Sequence, residues 1–184
     1  MILLFSGCSN SEITDTKTKE DIVIISELQN DMESFEYELD TMDRGKHDYY
    51  SQPLVIHPSP NQEDINRGTV IVEDTTGKKI VSRIIALPGE TIKIDKGTII
   101  IDGKKLNTFY GQSHHAGLTK EDYFKKVNEG KIEQEGMEKA FDFSLNELEL
   151  KDDEYYIIGD DWFRSDKKVI NSADIKGVVL GYLE

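Results

Sequence analysis

The sequence predicts a mostly β fold, an antiparallel sheet domain that carries a partly helical insertion. Three observations predict it. Short apolar, β-branched runs recur at residues 22–25, 69–73, 79–87 and 155–158. Turn signals separate such runs, at Gly77-Lys78, Lys96-Gly97 and Asp102-Gly103. Strand patterns follow one another without alternating helices, which describes a meander rather than an α/β fold.

Each element follows from its local pattern. Residues 22–25 form a first short β-branched run. Phe35, Tyr37 and Leu39 alternate with Glu36, Glu38 and Asp40, the period of a half-buried strand. Residues 53–57 hold another apolar run, and Pro58-Ser59-Pro60-Asn61 breaks regular structure after it. Strands are expected at 69–73 and 79–87, then a pair at 91–95 and 98–102 joined around Lys96-Gly97. Thr119 with Asp122 makes a capping-box pattern, Tyr123, Phe124 and Val127 give an apolar face, and Gly130 ends the helix. Residues 107–140 are therefore read as an insertion, and strands return at 141–145, 155–158 and 178–180.

Composition bounds the function. The chain has 184 residues, enough for one domain with a real core plus a tail. Its net charge of −14 excludes a nucleic-acid partner, which needs a basic face. One cysteine, Cys8, allows neither an internal disulfide nor a thiolate metal cluster. Its setting, Leu4-Phe5-Ser6-Gly7-Cys8 after an apolar start, resembles the end of a bacterial lipoprotein signal, in which the cysteine is lipidated. The leader lacks a positive first segment and a full apolar core, so either a gene start further upstream or a trimmed sequence is expected. Residues 1–8 are read as the remnant of that signal, residues 9–21 as a polar tether, and 22–184 as the folded domain. This arrangement would hold the protein by lipid on the outer face of a bacterial membrane. No other stretch approaches the roughly 20 apolar residues that span a bilayer.

Several motifs fall in a recognisable order. Thr41-Met42 ends the alternating segment. Arg67-Gly68-Thr69-Val70-Ile71-Val72 comes next, followed by Ser82-Arg83-Ile84-Ile85-Ala86-Leu87-Pro88-Gly89-Glu90 and the hairpin at Asp102-Gly103-Lys104. Gly159-Asp160 with Ser165 and the segment Asp174-Ile175-Lys176-Gly177 close the series. Over residues 35–183 the chain resembles the type I signal peptidases, and residues 107–140 are the poorest part of the match. The resemblance implies the antiparallel β-sheet domain of that family, in which a serine–lysine pair cleaves signal peptides bound as an extended strand. Thr41 stands where the family has its nucleophilic serine, and the Pro-Thr that follows in the family is missing. Ser82 stands where the family has the lysine that acts as general base. Asp160 and Ser165 keep places beside that pair, while the Asn, Arg and final Asp of the same box are replaced. The membrane helix of active family members would give way here to the lipid anchor.

A hydroxyl attacks a carbonyl only when a base within hydrogen-bond reach takes its proton. In a serine–lysine pair the base is an amine kept neutral by an apolar site. Ser82 does not titrate in the useful range. Alternation turns Lys79 and Arg83 away from the face of Ser82, and Lys78 lies roughly 13 Å along the chain. Lys167 and Lys168 are the remaining lysines near the Gly159-Asp160 box. His47, His57, His114 and His115 fall in loop-like segments, and the His114-His115 pair reads as a surface pair with no ligand partners at metal spacing. Loss of a general base costs about 10²–10⁴-fold in rate. The leading expectation is thus a catalytically inactive homologue without cofactor or metal that binds exported peptides or preproteins. One alternative is an active peptidase that uses Thr41 with a base such as Lys167. Another is an acidic β-rich lipoprotein acting as a binding module.

Overall fold

The computed structural model describes residues 11–50, 52–126 and 134–184. Cys8 and the rest of the expected lipoprotein signal lie outside these residues, as does the helix end expected at Gly130. The fold is mostly β, as its sequence patterns predict. Two sheets carry it, one of eight strands and one of five.

Strands β1 (Glu12–Thr14), β2 (Ile24–Ile25), β3 (Glu33–Phe35), β4 (Leu54–His57), β5 (Val70–Glu73) and β6 (Ile80–Ala86) come first. After them run β7 (Thr91–Asp95), β8 (Thr98–Ile101) and β9 (Lys104–Asn107). Helices α1 (Lys120–Lys126) and α2 (Gln134–Phe141) precede β10 (Leu145–Glu149), β11 (Glu154–Ile158), β12 (Lys167–Asn171) and β13 (Ile175–Leu183). The larger sheet has the order β12-β11-β6-β5-β13-β4-β3, with β2 added in parallel on β13. The smaller has the order β1-β9-β8-β7-β10.

The patterns explain the layers. Strands β5 and β6 lie centrally, are buried on both faces and read as nearly continuous apolar runs. Their alternate residues feed separate cores. Val81 packs with Tyr37, Met42, Leu54 and Val72, whereas Ile84 packs on the opposite face with Ile71, Tyr155 and Ile157. Strand β7 alternates instead, with Ile92 and Ile94 inward and Lys93 and Asp95 outward. These isoleucines meet Ile85, Ile158 and Trp162 in a third core that joins the two sheets. The turns at Lys96-Gly97 and Asp102-Gly103 have positive φ at both central residues, the geometry of a two-residue hairpin turn.

Four differences from the sequence expectation have physical causes. The alternating segment 35–40 pairs only at Glu33–Phe35, because the four-residue β4 offers no partner beyond Leu54. Residues 36–39 run on unpaired, and Asp40–Met42 form a 3-10 turn. The strand expected at 141–145 begins only at Leu145, since Phe141 ends α2 with its ring fully buried. Strand β12 was hidden by its opening Lys167-Lys168. The polar tether is docked within the described residues 11–21. Ile13 packs on the core, β1 pairs with β9, and Asp15 accepts a hydrogen bond from the Tyr110 hydroxyl at 2.6 Å. The helix of the insertion starts as expected, with the Asp122 amide donating to Thr119 Oγ1 at 3.2 Å.

Phe141 fastens the insertion, with its ring 4.8 Å from that of Phe163 and 5.4 Å from that of Tyr123. Phe141→Ala is expected to cost about 3–5 kcal/mol, the range for deleting a buried aromatic ring. Amide hydrogen exchange should show α1 losing protection before β5 and β6. Equal loosening of all these elements would place the insertion within the main cooperative unit.

Candidate active site

Thr41 sits in the 3-10 turn Asp40–Met42 and is buried. Its Oγ1 donates to the carbonyl of Val81 at 2.8 Å. Its single proton is thereby used, so the Tyr37 hydroxyl, 2.7 Å away, donates to Oγ1. Burial raises the pKa of Tyr37, which keeps that phenol a donor rather than a base. The bond to Val81 exists because β11 stops pairing with β6 at Ile158 opposite Arg83. The carbonyl of Val81 lies just beyond that last pair, and the Thr41 turn caps it.

The loop after β11 holds this turn in place. The amide of Asp161 donates to the Thr41 carbonyl at 3.0 Å. A Cβ on Gly159 would stand 2.2 Å from the Thr41 carbonyl oxygen and 2.6 Å from Ser165 Cβ, so only glycine allows this approach. Thr41, Gly159 and Ser165 are thus brought together. Ser165 Oγ reaches the Gly159 carbonyl only at 3.5 Å. Ser82 lies on β6 opposite Ile71 and is buried. Alternation turns its side chain to the face of Ile84, away from that of Val81.

Neither candidate lysine serves Thr41. The Lys167 amine donates to the carbonyls of Trp162, at 2.5 Å, and Ser165, at 3.3 Å. It also lies 5.3 Å from the centre of the Phe143 ring. Burial lowers its pKa. The Lys168 amine lies 2.8 Å from both the buried Glu73 carboxylate and the Thr75 hydroxyl. Among the described residues, the hydrogen-bond partners of the Thr41 hydroxyl are oxygen atoms, from Tyr37 and Val81.

The best-kept motif residues do structural work. Arg83 is 1% exposed and grips both carboxylate oxygens of Asp160, at 2.7 and 2.5 Å, while also donating to the Gly68 carbonyl at 2.7 Å. Arg67 pairs with Glu90 and donates to the Ile85 carbonyl. Glu90 in turn accepts from the Leu87 amide at 2.7 Å. Gly68 has φ +84°, and a Cβ there would collide with Thr18 and Tyr110.

Sequence reasoning missed three features. Tyr37 reads as an ordinary strand residue, and its link to Thr41 depends on the turn between them. Arg83 was set aside on parity, although that parity is what turns it towards Asp160. The histidine pair, expected on a surface loop, is drawn inward. His115 Nδ1 lies 3.1 Å from Asp161 Oδ2, and Asp161, 0% exposed, also accepts from the amides of Ala116 and Phe163. The adjacency of two histidines gave no signal of this, because their partner lies 46 residues away.

One acidic group has ligand atoms within 4.8 Å of one another, from Asp40, Asp43 and His47. Arg164 already pairs with this group, 3.3 Å from Asp40 and 3.0 Å from Asp43. The hydrogen bond from His47 to Asp40 raises the pKa of His47. A raised pKa means this contact favours folding below the ordinary histidine range and fades as pH rises through the folded value. NMR titration should therefore give His47 a pKa above that of an exposed histidine, with Asp40→Asn returning it. An unchanged midpoint in the variant would contradict the assignment.

The known proteins similar to this chain are signal peptidases. The family model described as "Signal peptidase, peptidase S26" matches residues 10–168. Signal peptidase I of Bacillus amyloliquefaciens is 30% identical over 97 residues, which is 53% of this chain and 44% of that protein, so the match spans less than half of the relative. A crystal structure of a signal peptidase I from Enterococcus faecalis V583 aligns with a TM-score of 0.43 and 23% identity, covering 61% of this chain and 94% of that one. Matched by the family model over most of its length, with the motif residues in order, the chain belongs to the type I signal peptidase family.

Proposed function

We propose that this chain is a non-hydrolytic member of its family that binds segments of exported preproteins on the outer face of a bacterial membrane, held there by lipid on Cys8. The observation that carries the first part is the Thr41 hydroxyl, spent between the Tyr37 phenol and the Val81 carbonyl, with no amine or imidazole hydrogen-bonded to it among the described residues. A hydroxyl in that state is not activated. The residue in the place of the base is Ser82, which has no proton affinity near neutral pH.

Peptide binding draws support from the backbone beside the site. Residues 36–39 lie outside the paired strands, and among the described residues their amides make no turn or loop backbone hydrogen bond. Leu39 is 46% exposed at the end of this stretch. An unpaired, accessible segment is what a peptide needs in order to add itself as a strand. No helix among the described residues is long and apolar enough to cross a membrane, and the lipid anchor is proposed from the Ser6-Gly7-Cys8 pattern.

A labelled signal peptide added to the purified chain should bind saturably, be recovered intact by mass, and protect the amides of residues 36–39 from hydrogen exchange. Absence of saturable binding, or protection elsewhere only, would contradict the binding reading. Tyr37→Phe should lower stability by about 1 kcal/mol, the net worth of one buried hydrogen bond. No change in the urea midpoint would mean that Tyr37 does not hold Thr41. Mass spectrometry of protein extracted from membranes should find Cys8 acylated, and a free thiol would refute the anchor.

A further inference from the structure

The segment expected to be a tether is fastened across both sheets. At its start the Ser11 carbonyl accepts from the Lys105 amide at 3.0 Å. Strand β1 then pairs with β9, with Glu12 opposite Lys105, and the Asn107 side-chain amide donates to Glu12 at 2.9 Å. Ile13 packs on the core that joins the sheets. Asp15 accepts from the Tyr110 hydroxyl and, at 2.9 and 3.1 Å, from the amides of Lys17 and Thr18. Further on, the Glu20 carbonyl accepts from Arg44 at 2.6 Å. The Val23 carbonyl accepts from the Tyr182 amide of the larger sheet at 2.8 Å. Two glycines make room for this path. A Cβ on Gly68 would collide with Thr18, and one on Gly181 with the Val23 carbonyl.

This fastening shortens the link to the lipid proposed on Cys8. Cys8 lies three positions before Ser11, a span that reaches at most about 11 Å. Lys105 sits beside Ser11, so it stays near the anchor whichever way the domain pivots. Strand β1 is the last strand of its sheet. An open strand edge is a liability that natural folds cover, and a headgroup surface would cover this one. The exposed charges at this edge balance, Lys104 and Lys105 against Glu12 and Asp102. The short link, rather than lipid charge, therefore sets the contact.

We propose that the β1–β9 edge of the smaller sheet is the surface that lies against the lipid headgroups. The proposal rests on the lipid anchor at Cys8 and adds the orientation that the docked segment imposes. A free tether would let every face of the domain visit the bilayer. A segment docked from Ser11 onward holds one edge down.

The purified chain is coupled through Cys8, its single cysteine, to a maleimide-headgroup lipid in phosphatidylcholine vesicles. The same chain capped with N-ethylmaleimide in solution is the reference. Both are acetylated briefly, and the reactivity of each lysine is read by peptide mass spectrometry. Lys104 and Lys105 should lose reactivity several-fold on the vesicles. Lys78, exposed in the turn between β5 and β6, should keep its reactivity. The seven-residue β6 holds that turn about 20 Å from Ile85, where the smaller sheet joins. A flexible Gly-Ser linker of about twelve residues, inserted between Cys8 and Ser11, adds about 20 Å of reach without touching the fold. It should restore the reactivity of Lys104 and Lys105. Unchanged reactivity on vesicles, equal loss at Lys78, or protection that survives the linker would overturn the proposal. Chemical coupling makes the readout independent of acylation in the cell, so a failed footprint overturns the orientation, whereas a free Cys8 thiol in cells overturns the anchor.

Discussion

The buried pair between Arg83 and Asp160 is the interaction on which the rest of the site depends. It ties the middle of β6 to the loop after β11, and β6 and that loop are the two elements that position Thr41. Removing one partner would leave an uncompensated buried charge, a change that costs about 3–5 kcal/mol in comparable pairs. Its strength comes from geometry. Two parallel N–H···O bonds and a third to the Gly68 carbonyl satisfy most of the guanidinium donors inside the fold.

On the proposed reading, scaffold and chemistry have separated in this chain. Arg67, Gly68, Arg83, Glu90, Gly159 and Asp160 each make a contact within the fold. In that reading, the positions that would run the chemistry hold Thr41 and Ser82. Thr41 now works as a structural cap, closing a sheet-edge carbonyl that β11 leaves open. Its stability comes from spending the lone pairs and proton that catalysis would have used.

Much of the fold was legible in the sequence because its signals are local. Asp102-Gly103 and Lys96-Gly97 announce turns through the backbone freedom those turns require, and Thr119 with Asp122 announces a helix start. What stayed hidden depends on distant partners. The alternation of residues 35–40 is a true strand pattern without a strand beside it. Lys168 reads as a surface charge but reaches Glu73 across the sheet. The motif residues of the site were legible in the same way as the turns. The contacts of Tyr37 with Thr41 and of His115 with Asp161 were not, because a one-dimensional pattern carries no record of a turn that folds one residue over another.

The account rests on a hydroxyl without a base, so the deciding measurement is a cleavage time course. A preprotein with an intact signal peptide is incubated with the purified chain and with Thr41→Ala, and products are read by mass spectrometry. The account predicts no cleavage above background for either protein. Cleavage at the signal-peptide junction by the native chain, lost in Thr41→Ala, would contradict it.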